Sequence, residues 1–240
     1  MPEATGKLAK SEQKPGESPV ITLAMERFKA IADAESELRR DALDDLKFRV
    51  GEQWPSEIQT SRTRDGRPCL TMNRIPAFLR QVTNEQRQQR PAVQIDPVGD
   101  GADIETAEIL EGMVRDTERN SDADIAYSHG FEMMATIGFG YWRVITEYQE
   151  GTGELVAKIK RIKNPFSVYV DAGATDPCYE DAHFWFIVDD LTEREYKAKY
   201  PNSELASLSD FSTIGDHAPN WVSRNASGQQ LIRIAEYFYD

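Results

Sequence analysis

Four acids fall close together at Asp171, Asp176, Glu180 and Asp181. Carboxylates so spaced can hold a divalent cation or support phosphodiester cleavage. The stretch lacks EF-hand spacing, however, and aspartates are common in turns because the side chain bonds its own backbone. Turn formation is the stronger expectation, with a metal-dependent nucleic-acid enzyme as the alternative. Ser128 and His129 are adjacent, a poor geometry for a nucleophile and its base, and no nucleophile elbow surrounds them. Gly138-Phe139-Gly140 follows a helical pattern and precedes a strand. A phosphate loop runs from strand to helix, so this pair reads as a helix stop and tight turn. No Walker A glycine loop is present, and Cys69 and Cys178, with three scattered histidines, do not make a zinc pattern. We expect no enzyme activity, no metal and no cofactor.

Charge is the stronger signal. Seven arginines, Arg62, Arg64, Arg67, Arg74, Arg80, Arg87 and Arg90, stand against two acids over residues 61–90, a net +5. Residues 96–124 carry ten acids against two arginines, a net -8, with Glu105, Glu108, Glu111, Asp116 and Glu118 prominent. The arginines are candidates for DNA-backbone contact or for a subunit interface. Only Phe78 interleaves them, so stacking on single-stranded bases is not expected. The overall charge of -13 favours pairing with the acidic block, in the same subunit or its neighbour. Two ordinary solvated helix faces would produce the same composition.

These residues need elements to position them. From Ala24 to Val50 the apolar residues Phe28, Ile31, Leu38, Ala42 and Leu46 recur at helical spacing, which predicts one long amphipathic helix ended by Gly51. Residues 51–70 read as an ordered loop anchored by Trp54, with Asp65-Gly66 as a turn. A second helix is predicted over 73–89, with Ile75, Phe78, Leu79 and Val82 inward, and Pro91 as its stop. Val93 and Ile95 alternate as in a short strand. A helix over 103–120 turns Ile104, Ala107, Leu110 and Val114 inward, and Ser121 or Asp122 caps a fourth, apolar helix to Ile137. Ile125, Ala126, Phe131 and Met134 mark that helix as the buried one.

The texture then turns to strand. Residues 139–162 predict a hairpin with Gly151-Thr152-Gly153 at its tip, and 164–171 and 183–190 predict two further strands. A short helix over 192–200 ends at Pro201, residues 202–229 are loop-like, and a last strand covers 231–240. The fold class is α+β, with long N-terminal helices packed on a small antiparallel or mixed sheet. We divide the chain into a disordered leader over 1–20, a helical region over 21–138 and a β-rich region over 139–240. Ending inside an aromatic strand, the chain is expected to be cut short. No apolar run approaches the roughly 18 residues of a membrane span.

Several stretches carry a resemblance. Gly51, Gln53 and Trp54 are followed by Arg67, Pro68, Leu70 and Asn73, and then by Asn84, Arg87 and Pro91. Asn164, Pro165, Val168 and Asp171 precede Asp181, Ala182 and Phe186. From about residue 25 to 240 the chain resembles the portal proteins of short-tailed phages. The resemblance implies a wing-like region of a ring, usually of twelve subunits, at one capsid vertex of the virion. It further implies double-stranded DNA in the central channel, and terminase, coat or scaffolding protein and tail adaptors as partners. Assembly would take place in the host cytoplasm, with no membrane involved; a generic phage head-assembly interaction module is the alternative to a ring subunit. Portals of this type are much longer, so the stem and clip would lie beyond residue 240.

Overall fold

The computed structural model describes residues 19–89, 92–99, 101, 103–149, 151–201 and 231–240. Residues 1–18 of the expected leader, Arg90, Pro91 and the loop over 202–229 lie outside the described residues, and Pro19 and Val20, expected in the disordered leader, open a helix instead. Helices come first and small sheets follow, the α+β order expected from the texture. The described residues belong to two compact units, one of 19–36, 169–201 and 231–240, the other of 37–168.

The first unit holds α1 (Pro19–Ala34), β3 (Val168–Val170), β4 (Phe184–Thr192), α7 (Glu193–Lys199) and β5 (Leu231–Tyr239). The strands lie in the order β3-β4-β5, and β4 pairs antiparallel with β5 from Phe184 opposite Tyr239 to Thr192 opposite Leu231. Among the described residues β5 is therefore an edge strand. Phe28 is the centre of the core, at 1% exposure, edge-on to Tyr169 at 4.8 Å and to Phe186 at 5.3 Å. Tyr237 stacks on Phe186 at 4.6 Å, and Ile31 and Ala32 complete the cluster. Burying an aromatic of this size is worth about 1.5–3 kcal/mol, so these rings dominate the unit's stability. A full capping box at Thr192 and Glu195 starts α7.

The second unit holds α2 (Ser36–Val50), α3 (Ser56–Arg64), α4 (Ile75–Gln88), α5 (Ile104–Asn120), α6 (Ala123–Ile137), β1 (Trp142–Tyr148) and β2 (Leu155–Arg161). As its apolar content predicts, α6 is the central helix and packs against α4, α5 and the hairpin. One core joins Ala42 and Leu46 of α2 to Ile137 and Phe166; another joins Ala123 and Ala126 to Ile159 of β2. The hairpin runs from Trp142 opposite Arg161 to Tyr148 opposite Leu155, and Gly151 (φ 94°) and Gly153 (φ 70°) supply its left-handed tip. Gly138 (φ 88°) ends α6 by donating to Met134 O at 2.9 Å.

Several expectations are corrected. The single helix over 24–50 is two, separated by a turn at Glu35, where the Ser36 hydroxyl donates to Asp33 O at 2.9 Å. The two helices bury into different cores, so one unbroken stripe is not required. Leu38 is 56% exposed, and Arg39 takes the buried position instead at 2%. The loop over 51–70 contains α3, which begins after Pro55 and carries Glu57 early and Arg62 and Arg64 late, matching the helix dipole. Residues 92–97 form no strand, having no strand partner among the described residues. Phe78, Val82, Ile104, Leu110, Ile125 and Met134 are exposed rather than inward, because the helices bury narrow stripes centred on Thr83, Ala107 and Ala126. The stretch 164–171 opens with a 3-10 turn at Pro165–Ser167 and is strand only from Val168. Asp122 stands at the start of α6 in the left-handed region (φ 49°) without a side-chain capping bond. The strands make two separate sheets rather than one.

Candidate interaction site

Several of the residues that carry the resemblance are structural fastenings. Asn73 donates from Nδ2 to Arg49 O at 2.7 Å, satisfying a carbonyl at the end of α2. Its Oδ1 accepts from Gln53 Nε2 and from Ile75 N, both at 3.3 Å, so one side chain ties the end of α2 to the start of α4. Gly51 (φ 102°) turns the chain between them, and a Cβ there would meet Asn73 Nδ2 at 3.6 Å. Gln53 also donates to Phe48 O at 3.2 Å. The Arg62 guanidinium lies 5.1 Å from the Trp54 ring centre and donates to Pro68 O at 3.0 Å. Arg67 N closes the turn on Arg62 O at 2.8 Å.

The second motif is a socket. Asn164 Oδ1 accepts from Phe166 N at 3.1 Å, and Pro165 is fully buried beside it. This fixes the turn so that Phe166 O and Val168 O face Arg39, which donates to them at 2.7 and 2.5 Å. Buried guanidinium needs such acceptors, since desolvating it alone is costly. Nothing in the sequence distinguished Arg39 from its exposed neighbour Arg40.

The acids of 171–181 act as turn formers. Asp171 accepts from Gly173 N at 2.9 Å, and Asp176 from Cys178 N at 2.6 Å. Asp181 accepts from Thr175 N (2.7 Å), Thr175 Oγ1 (2.9 Å) and Asp176 N (3.1 Å). These donors, those of Thr175 first, hold the Asp181 carboxyl below the usual aspartate range.

The charged blocks are dispersed. Among the described residues no ion pair joins the arginines of 62–87 to the acids of 105–118. The Arg62 guanidinium belongs to the clasp just described, whereas Arg67 gives it only a backbone amide and is itself exposed. Arg64, Arg74 and Arg80 are exposed, and Arg90 lies outside the described residues. Glu111 pairs with Arg115, Asp116 accepts from Asn120 Nδ2 at 2.9 Å, and Glu118 accepts from the Tyr127 hydroxyl at 3.0 Å. Glu105 and Glu108 are exposed on α5.

Arg87 and Glu118 do meet at one feature, a cavity of about 810 Å³. It is walled by the C-terminal ends of α4 and α5, the first half of α6 and the end of β2. Arg115, Arg119 and Arg161 contribute cations, and Asp122, Asp124 and Glu132 contribute acids. Glu132 is held by an ion pair with Arg49 from α2. Burial first, then the Glu118 hydrogen bond and the charges of Glu118 and Asp124, push the Tyr127 hydroxyl up to about 12. Arg119 was missed inside the acidic block, and Arg161 within the basic stretch Lys158–Lys163 around the end of the hairpin strand.

Among the described residues no group of three or more His, Cys, Asp or Glu is placed to hold a metal ion. No helix there is long and apolar enough to cross a membrane.

Comparison with known proteins agrees with the resemblance to phage portal proteins. A portal protein of Acyrthosiphon pisum secondary endosymbiont phage 1 is 23% identical over 225 residues, covering 89% of this chain. The chain spans 30% of that relative's length. Residues 25–240, which include both the clasp and the socket, match the family described as phage P22-like portal protein. The chain belongs to that family.

Proposed function

We propose that this chain is part of a structural subunit of the portal ring at one capsid vertex, the conduit through which double-stranded DNA is packaged and ejected. The observation that carries the reading is the family match over residues 25–240. The chain supplies the wing, and the ring, of twelve copies, docks terminase during filling and tail adaptors afterwards. Coat or scaffolding protein recruits it in the host cytoplasm, and the finished ring resides in the virion. The activity is physical rather than catalytic: an acidic surface repels phosphates, so DNA slides without sticking. The charge of -13 suits that role, and the carboxylates of 171–181 are spent on turns.

Electron microscopy and mass measurement of the full-length gene product test the reading. The expected result is annular particles of about twelve copies, the number implied by the portal resemblance, since head-to-tail contacts that close give rings. A protein that stays monomeric at high concentration overturns it.

A further inference from the structure

The two ends of α5 present opposite chemistries. Near its N-terminal end Glu105, Glu108, Ile109 and Gly112 share an outward stripe, at the spacing that puts helix residues on one face. Ile109 is 60% exposed, and Met113 beside it 61%. Neither Glu105 nor Glu108 has an ion-pair partner among the described residues. An apolar centre flanked by acids, with a glycine that permits close approach, has the make-up of a contact surface.

At the other end is the 810 Å³ cavity. Arg119 of α5, Arg87 of α4 and Arg161 of β2 come to its wall from three elements. None of the three has an ion-pair partner among the described residues. Two of the carboxylates around them are already engaged, Glu132 by Arg49 and Glu118 by Tyr127. Arginine forks suit carboxylates, and here they stand unmatched around a concavity.

The acidic stripe and the arginine rim are complementary but share one rigid helix. About 16 Å of rise separates Glu108 from Arg119, so they do not satisfy each other within a subunit. Between copies they do. We propose that the cavity rimmed by Arg87, Arg119 and Arg161 receives the Glu105–Glu108–Ile109 face of α5 from a second copy of this chain. The acidic patch of one copy can meet the arginine patch of the next in head-to-tail order, the type of contact that generates rings when it closes. This inference rests on the ring reading above.

The test uses the full-length gene product and three variants: Arg119→Glu with Arg161→Glu, Glu105→Arg with Glu108→Arg, and all four together. Assembly is followed by sedimentation, and folding by helix content. Each pair should raise the concentration of half-assembly at least about tenfold, since like charges across an interface are costly. The four-fold exchange restores complementarity and should bring assembly back. The milder Arg119→Gln with Arg161→Gln should shift assembly in the same direction if the reversed pair does not fold.

If wild type forms no ring, the portal reading itself fails. If wild type forms rings and folded variants of either pair do so equally well, only this contact is overturned. It is also overturned if the four-fold chain stays dispersed with native helix content. Loss of duplex DNA binding in the arginine variants with unchanged assembly would mark the rim as a phosphate surface instead.

Discussion

Arg39 is a buried cation among the described residues of the second unit. At 2% exposure its guanidinium has exchanged water for the Phe166 and Val168 carbonyls. Removing it strands both acceptors, each costing about 1–3 kcal/mol when buried unpaired. Arg39→Ala should therefore lower unfolding free energy by about 3 kcal/mol in urea titration. Arg39→Lys should recover only part of it, since a point charge does not reach two carbonyls as a fork does. Gly140 is the second decisive residue. A Cβ there would overlap the Gly130 carbonyl on α6, so the strand entering the hairpin approaches the helix at backbone contact. Gly140→Ala should cost about 2 kcal/mol or more, read from the thermal midpoint, whereas Gly112→Ala, with open space around it, should be neutral or slightly stabilising.

Elements were legible where local chemistry decided them. Gly138, Gly151 and Gly153 announced the end of α6 and the hairpin tip, because positive φ leaves few alternatives to glycine. The apolar density of α6 announced its burial. The turn at Glu35 was not legible, since the same periodicity serves one helix or two that feed different cores. Residues 56–64 have the polarity of a loop, and α3 buries no residue that a pattern could have revealed. The clasp is a prediction at this scale: Asn73→Ala frees the end of α2 and the start of α4 together. Hydrogen exchange should quicken in both helix ends, with a loss of about 1–2 kcal/mol. The 171–181 loop is a second. Asp181 has its carboxyl pKa depressed in the folded state, so its contribution is present above the unfolded value and lost as pH falls through the folded one. Protection of the Thr175 and Asp176 amides should hold at neutral pH and fade below about pH 4. Asp181→Asn should remove that pH dependence.

At the scale of the whole chain, charge was visible and its use was not. The positive and negative blocks were plain in the sequence, yet among the described residues they make no ion pair with each other: the Arg62 guanidinium serves the clasp, and Glu111 and Glu118 are satisfied locally. The arginines around the cavity come from α4, α5 and β2, and only folding assembles them. The motif residues pointed to the right family while saying nothing of a surface, since Asn73 and Asn164 hold backbone rather than partners.

The exposed border of β5 has a practical corollary for anyone purifying this polypeptide. One side of its nine residues is paired with β4, and among the described residues no strand pairs the other; an edge left open in this way favours strand addition. Phe238 and Tyr239, 42% and 54% exposed, add stickiness to it. Concentrated stocks should cloud on warming and raise thioflavin fluorescence, and a lysine in place of Phe238 should delay both.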